Sequence, residues 1–172
     1  MRARWREPEG SARAGWGKWK RPPSPYDVFM EQEGIPIYRG IGVLRVQDLP
    51  LAPWDRLGGR GSFVQLYGTE GIWGCYVVEI PSASALRAER HLYEEVVFVV
   101  DGRGAAEIWQ QEGGRRDILE FQPGSLFTIP LNTHHRLINA TSSAPVLLLV
   151  GTSAPPVFNL FTNPPRRFPS FI

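Results

Sequence analysis

The stretch that decides the fold of this chain is Glu89–Gly104, with the sequence ERHLYEEVVFVVDGRG. His91 and Glu95 stand four residues apart near its start, and both side chains are able to bind a metal ion. The apolar run Val96–Val100 follows, and its β-branched and aromatic residues are typical of a short buried strand. The pair Asp101–Gly102 predicts a hairpin turn after this strand, because glycine accepts the positive φ that such a turn requires.

A second stretch, Gly124–Asn139, has the sequence GSLFTIPLNTHHRLIN. It predicts a strand over residues 125–129, a tight connection over residues 130–132 and another strand over residues 134–139. Side chains alternate between the two faces of a strand, so the adjacent histidines at the start of the last strand point to opposite faces. The chain has three histidines, and all of them lie within these two stretches: His91, His134 and His135.

The two stretches together resemble the paired motifs of the cupin superfamily. The first cupin motif contains His-x-His, three or four residues, Glu, six residues and Gly. Here Glu95 and Gly102 match the last two positions, and His91 matches the second histidine. Glu89 stands where the first histidine of the motif belongs, which is the main departure from the family pattern.

The second cupin motif contains Gly, five residues, Pro-x-Gly, two residues, His, three residues and Asn. The matching positions in this chain are Gly124, Pro130, His135 and Asn139. Asn132 replaces the internal glycine, a mild change because asparagine also tolerates a left-handed backbone. The motif spacing therefore selects His135 as the metal-binding histidine of this stretch.

The resemblance covers about residues 60–152 and implies an all-β fold, the double-stranded β-helix or jelly-roll barrel of cupins. Short β-rich runs separated by turn residues support this fold, with no convincing helix between them. The predicted strands cover residues 62–67, 73–80, 94–100, 104–110, 116–121, 125–129, 134–139 and 145–151. We therefore predict a flexible basic arm over residues 1–24 and a single cupin domain over residues 25–172, with core motifs at 89–104 and 124–139.

Upstream of the motifs the sequence predicts less regular structure. Tyr26–Glu33 predicts one or two helical turns, and Ile37–Val46 predicts an extended segment. The prolines and glycines of residues 48–61 predict a loop. We interpret Trp54, within this loop, as filling a hydrophobic gap rather than binding a ligand.

The resemblance implies that His91, Glu95 and His135 bind one divalent metal ion. Two neutral imidazoles and one carboxylate form the set typical of non-haem Fe(II) oxygenases, which leaves positions for substrate and dioxygen. This ligand set favours Fe(II) or Mn(II), although Zn(II), Ni(II) or Cu(II) can also occupy it.

Glu89 is expected either to be a fourth metal ligand or to pair with a cation. A carboxylate inside a barrel is costly to leave unpaired, so the alternative to metal contact is a partner such as Arg87 or Arg90. Metal contact is the favoured expectation, because Glu89 takes the place of a ligand in the motif. Its negative charge would strengthen the preference for Fe(II) or Mn(II).

These features favour a metal-dependent enzyme acting on a small organic molecule, most of all a dioxygenase-like oxidoreductase. One alternative is a metal-dependent lyase, decarboxylase or isomerase in which Glu89 or Tyr93 moves a proton. Another is a non-catalytic cupin that binds a small molecule, with His91 and Glu95 as a hydrogen-bonded pair. Oxygen uptake by an iron-loaded sample separates the first class from the others.

The net charge of +2 hides an asymmetry between the arm and the rest of the chain. Residues 1–24 hold seven Arg or Lys and two Glu, for a net charge of +5, whereas the remaining residues carry −3. No nucleic-acid-binding motif accompanies this basic arm. We therefore predict a solubilising or dimer-wrapping arm and no nucleic-acid partner.

Deletion of residues 1–20 is expected to leave the melting temperature within a few degrees of that of the full chain, because the arm lacks strand or helix periodicity. Thermal unfolding followed by circular dichroism compares the two proteins. An insoluble or unfolded truncated chain would instead make the arm a packed or swapped element.

The chain has no apolar run that approaches the ~18 residues of a membrane-spanning helix, and its N-terminus lacks the apolar segment of a secretory signal. We therefore predict a cytoplasmic protein with no membrane partner. Cys75 is the single cysteine and lies in an apolar run, which predicts a packing residue. Aromatic residues crowd the stretch Val157–Phe168 and need cover from the barrel or a second subunit, so we predict a homodimer.

Overall fold

The structure is a computed structural model that describes residues 23–160. Almost all of the predicted N-terminal arm, and the C-terminal stretch after Leu160, lie outside the described residues. The proposed boundary between an arm and a single domain therefore stays a prediction.

Residues 23–160 form two β-sheets, with one α-helix near each end of the described chain. The helices are α1 (Pro25–Gln32) and α2 (Ala154–Leu160), and a short 3-10 helix covers Val46–Asp48. The strands are β1 (Ile37–Gly40), β2 (Ala52–Trp54), β3 (Gly59–Leu66), β4 (Gly74–Ile80), β5 (Ser84–Ala85), β6 (Glu89–Arg90), β7 (Glu95–Asp101), β8 (Gly104–Trp109), β9 (Asp117–Phe121), β10 (Leu126–Ile129), β11 (His134–Asn139) and β12 (Val146–Thr152). Within this part of the chain, no helix has the length and apolar character that crossing a membrane requires.

The larger sheet has seven strands in the order β1-β3-β4-β12-β7-β10, with β2 also paired to β3. The smaller sheet has five strands in the order β5-β11-β8-β9, with β6 also paired to β11. Among the described strands, β1 and β3 run parallel and the other pairs are antiparallel. The two sheets form a jelly-roll barrel, so the predicted all-β fold class is confirmed.

All eight predicted strands are present, as β3, β4 and β7 to β12, with each end within three residues of its prediction. The prediction of a loop over residues 48–61 was wrong in part, because β2 and the start of β3 form a hairpin there. The short strands β5 and β6 were also not predicted. Strands of two or three residues are too short to show a periodic pattern in the sequence. Their formation depends on the strand with which they pair.

Helix α1 confirms the predicted helical turns at Tyr26–Glu33 and begins at a capping box. The Ser24 hydroxyl accepts a hydrogen bond from the Asp27 N–H, and the Asp27 carboxylate accepts one from the Ser24 N–H. Pro25 suits the first helical position, where its missing N–H has no intrahelical partner to lose.

Helix α2 was not predicted. Pro155 and Pro156 lie in its first turn, where proline is tolerated, although the same pair in a sequence indicates a chain break. The helix packs through Phe158, whose ring contacts α1.

The two helices lie together over one end of the barrel. That end is where β12 finishes and β7 starts, since Thr152 pairs with Glu95. The ring centroids of Phe29 in α1 and Phe158 in α2 are 4.6 Å apart, and Phe158 lies 6.1 Å from the ring of Tyr93, just before β7. We call Phe29, Phe158 and Tyr93 the aromatic cover.

The barrel interior is largely apolar. Its walls are buried side chains from both sheets, including Val97, Val99, Ala106, Leu137, Leu148 and Val150. Buried histidine and glutamate side chains occur next to the aromatic cover, and they form the candidate site.

Candidate metal centre

Three buried side chains from different parts of the barrel meet under the aromatic cover. Glu95 is the first residue of β7 in the larger sheet, His135 lies on β11 in the smaller sheet, and His91 lies in the connection between β6 and β7. One ligand atom from each residue lies within 4.8 Å of the other two, which is close enough for a single metal ion. We call His91, Glu95 and His135 the ligand trio.

The ring of His91 is oriented by the backbone. Its Nδ1 lies 2.7 Å from the carbonyl oxygen of Tyr93, so Nδ1–H donates to that oxygen. In the neutral imidazole the Nε2 atom is then the unprotonated nitrogen, and within the described residues it is buried without a hydrogen-bond partner, although Glu95 Oε2 lies 3.5 Å away. A buried lone pair without a donor is costly, and a bound metal ion would satisfy it.

The other two members of the ligand trio are also held by neighbours. The Tyr76 hydroxyl donates to Glu95 Oε1 at 2.8 Å, which leaves Oε2 as the oxygen near His91. His135 places its Nδ1 3.5 Å from the Thr133 carbonyl oxygen. Two imidazoles turned by the backbone and one oriented carboxylate fit a divalent metal ion that accepts nitrogen and oxygen ligands.

The protonation states of the ligand trio make metal binding depend on pH. Burial lowers the pKa of His135 to about 4, so its imidazole is neutral. Burial raises the pKa of Glu95, but the adjacent histidines lower it by more, and the carboxylate is ionised. Burial also lowers the pKa of His91, yet the Glu95 carboxylate raises it by more. A proton therefore competes with a metal ion at His91, and metal affinity is expected to fall as the pH falls.

Replacement of Tyr76 with phenylalanine is expected to weaken binding of a divalent metal by about tenfold, the effect typical of losing a group that orients a ligand. The change removes the hydroxyl that donates to Glu95 but keeps the ring that packs on Trp54. Calorimetric titration with Co(II) measures the affinity. Tyr38→Phe is the matched control, because the Tyr38 hydroxyl donates to the Gly42 carbonyl instead. Equal losses in both variants would contradict the prediction.

His134 lies on the opposite face of β11 from His135, as strand alternation predicts. Its ring stacks on Trp109, with centroids 5.5 Å apart and planes inclined by 10°. The guanidinium of Arg116 also lies over Trp109, at 4.5 Å from the ring centroid. His134 therefore belongs to the outer face of the smaller sheet, away from the ligand trio.

Glu89, where the chain departs from the motif, has a cation partner that was not expected. Its carboxylate accepts a hydrogen bond from Arg56 Nη1, whereas the expected partners Arg87 and Arg90 are exposed. Glu89 pairs with His135 in the β6–β11 register, yet it is not in the group of ligand atoms that lie within 4.8 Å of one another. Burial raises its pKa to about 7, against the opposing effect of Arg56. Its role as a metal ligand stays a prediction.

Tyr93 lies flat against His91. The two ring centroids are 3.9 Å apart and the planes are inclined by 4°. Tyr93 is buried, and this burial raises the pKa of its phenol well above the ordinary value. The phenol is therefore neutral and restrains the His91 ring, while its part in proton transfer stays a prediction.

Sequence reasoning missed two residues that hold the site, Tyr76 and Arg56. Tyr76 carried a usable signal, because alternation along the predicted strand over residues 73–80 puts it on the same face as Val78 and Ile80. Arg56 carried no such signal, since it lies in a segment predicted as loop and its partner, Glu89, is far away in the chain.

Comparisons with known proteins agree with this architecture. The profile of the Cupin domain family matches residues 76–151, which include both motifs and the whole ligand trio. The solved structure of the plu4264 protein from Photorhabdus luminescens superposes with a TM-score of 0.52 at 18% identity, covering 69% of this chain and 95% of that chain. Residues 76–151 match the Cupin domain family, and the described chain shares its fold with the solved structures below.

Two further solved structures share this barrel fold. The Schizosaccharomyces pombe Cnp3 cupin domain superposes with a TM-score of 0.52 at 12% identity, covering 63% of this chain and 71% of that one. Lactobacillus farciminis oxalate decarboxylase, in a formate complex, gives a TM-score of 0.52 at 18% identity, but the match covers 63% of this chain and only 32% of that one. No curated protein sequence matches the chain. Such distant similarity establishes the fold alone, so function is argued from the site.

Proposed function

We propose that this cupin is a metal-dependent enzyme that acts on a small organic molecule, with dioxygenase chemistry of the non-haem Fe(II) type as its reaction class. The observation that carries the proposal is the buried His91 Nε2, which faces Glu95 without a hydrogen-bond donor among the described residues. Two histidines and one carboxylate would hold a divalent metal ion and would leave positions for substrate and dioxygen. Bound Fe(II) would donate electrons to dioxygen.

The side chains around the ligand trio have distinct proposed roles. Tyr76 orients Glu95 through its hydroxyl, and the backbone orients both histidines through Nδ1. The aromatic cover separates the site from solvent, which strengthens electrostatic interactions there and limits side reactions. Glu89 and Tyr93 are the proposed proton-transfer groups, because Glu89 pairs with His135 across β6 and β11 and Tyr93 stacks on His91.

Fe(II) or Mn(II) is the proposed metal. Imidazole and carboxylate ligands without a thiolate suit both ions. Zn(II), Ni(II) or Cu(II) can compete, because the affinity of nitrogen and oxygen sites rises along the first transition series toward copper. Elemental analysis of protein expressed in media with different metal supplements compares the five ions.

Oxygen uptake by anaerobically prepared, Fe(II)-loaded protein tests the reaction class. Small organic molecules are offered to the loaded protein, and oxygen consumption with matching product formation is the expected result. His135→Ala protein treated in the same way is the negative control. Conversion of a substrate without oxygen consumption would contradict the dioxygenase class, and tight binding without any conversion would favour a small-molecule-binding cupin.

A second candidate is a metal-dependent lyase, decarboxylase or isomerase. The observation that favours it is the Glu89 carboxylate, held by Arg56 next to the strand that carries His135. A carboxylate in that place can accept or return a proton while a metal ion polarises a substrate carbonyl. Product formation by Mn(II)-loaded protein without oxygen, lost in Glu89→Gln, is the expected result for this class.

We also propose that this cupin forms a homodimer through the outer face of its larger sheet. Phe98 and Leu126 are paired there across β7 and β10, and they are 40% and 66% exposed. Leu149 pairs with Phe98 from β12 and continues the apolar row. Stacking of the same face from a second copy would cover this row. Light scattering measures the mass, and Phe98→Glu is expected to give a monomer.

A further inference from the structure

One guanidinium connects the candidate metal centre with the helix that covers it. Arg56 donates through Nη1 to the Glu89 carboxylate, and through Nε to Glu33 Oε2 at 2.8 Å. Glu33 is the C-cap residue of α1, whereas Glu89 lies on β6 opposite His135. Arg56 itself lies between β2 and β3, so it reaches both carboxylates from a third element.

The position of the Arg56 guanidinium is restricted by more than its two ion pairs. Its central carbon lies 5.0 Å from the ring centroid of Trp54 and 5.5 Å from that of Phe29. The Trp54 indole N–H donates to the same Glu33 oxygen that Arg56 contacts. The carboxylate of Glu33 is therefore held from two sides, and it holds Arg56 in turn.

The consequence concerns Glu89, the residue at the motif position of a metal-binding histidine. Its side chain is only 12% exposed, and burial of a carboxylate requires a cation nearby. Arg56 meets this requirement from the side of α1, and the Glu89 carboxylate lies outside the ligand trio. Among the described residues, Arg56 is the cation that hydrogen-bonds to this carboxylate.

We propose that Arg56 is a positioning residue that holds the Glu89 carboxylate out of the metal coordination sphere. The ligand trio then supplies three protein ligands, and further coordination positions stay free for a small substrate. This inference rests on the proposed metal site. Glu89 stands where the motif has a metal-binding histidine. Under this proposal, the glutamate leaves the site without a ligand at that position.

Co(II) titration of purified variants tests this role, read by calorimetry and by the visible absorption of bound Co(II), which depends on the number and kind of its ligands. Glu89→Gln is expected to bind Co(II) within about threefold of the unchanged protein and with the same spectrum. Arg56→Met is expected to bind about tenfold more tightly with a changed spectrum, because the released carboxylate adds a charged ligand. The double variant Arg56→Met/Glu89→Gln is expected to return to the unchanged affinity and spectrum.

Arg60→Met is the matched control, because Arg60 pairs with Glu79 on the exposed side of the larger sheet. It is expected to leave both Co(II) readouts unchanged. An Arg56→Met protein that binds Co(II) like the unchanged protein would overturn the inference. So would a Glu89→Gln variant with weakened affinity and an altered spectrum, because Glu89 would then already be a ligand.

The Glu89→Gln comparison can still overturn the inference if Arg56→Met fails to fold, since glutamine keeps the shape of the side chain and an oxygen for Arg56. A different result is expected if the ligand trio does not bind a metal ion at all. In that case the unchanged protein takes up no Co(II), and the proposed function and this inference both fall. Uptake by the unchanged protein with loss in His91→Ala keeps the metal site, so the Glu89 and Arg56 variants then test Arg56 alone.

Discussion

Replacement of His135 with alanine is expected to lower the affinity for a divalent metal by at least tenfold, and His91→Ala should act similarly. Loss of a ligand should exceed the 10- to 100-fold effects that follow from losing a group that merely orients one. Both imidazoles are buried within 4.8 Å of the Glu95 carboxylate, so no water-exposed side chain can easily take their place. Metal content by elemental analysis after loading with Mn(II) and desalting measures the effect.

His134→Ala is the matched control for these variants, because it removes an imidazole from the adjacent position on the outer face of β11. Its metal content is expected to equal that of the unchanged protein. Full metal occupancy in both His91→Ala and His135→Ala would exclude the ligand trio as the binding site. A loss in His134→Ala as large as in His135→Ala would show that damage to β11, and not ligand removal, explains the effect.

Replacement of Trp54 with alanine is expected to lower the free energy of unfolding by about 3–5 kcal/mol, the range for truncating a large buried aromatic side chain. Trp54 is 1% exposed, and its ring packs edge-on against Phe63 and Tyr76, with centroids 5.1 and 5.3 Å away. Alanine would leave a cavity there and would also remove the indole N–H that donates to Glu33. Chemical denaturation followed by far-ultraviolet circular dichroism measures the change.

Trp73→Ala is the comparison variant, since Trp73 is 43% exposed and packs on the surface against Gly151. We expect it to cost about 1 kcal/mol or less. If Trp54→Ala is no more destabilising than Trp73→Ala, then Trp54 is not part of the core. The interpretation of Trp54 as a filler of a hydrophobic gap would then also be wrong.

The sequence by itself determined the barrel and the three candidate ligands, because both depend on short-range patterns. Alternating apolar runs and turn residues mark the eight main strands, and the turn chemistry agrees with the backbone. Gly102 has a φ of 86° after β7, and Asn132, which replaces the motif glycine, has a φ of 62°. His91 and Glu95 are four residues apart within the first motif, and the spacing of the second motif selects His135.

Only the tertiary structure decided how the upstream segment contributes to the site. The hairpin of β2 and β3 forms because Gly61 has no side chain where the Trp54 ring packs, and a Cβ there would overlap that ring. Neither residue indicates this contact on its own, since a glycine in a proline-rich segment predicts a loop. The loop prediction was wrong because it used the local proline and glycine content and could not include the packing of Trp54 over Gly61.

The partner of Glu89 was decided in the same way. A carboxylate inside a barrel predicts a cation partner. The sequence alone does not show which arginine provides that partner. Arg56 lies 33 residues earlier in the chain, farther away than Arg87 and Arg90, yet its contacts with Trp54 and Glu33 direct its guanidinium to Glu89. An ion pair of this kind depends on distances between separate elements, and those distances exist only once the two sheets and the covering helices have packed together.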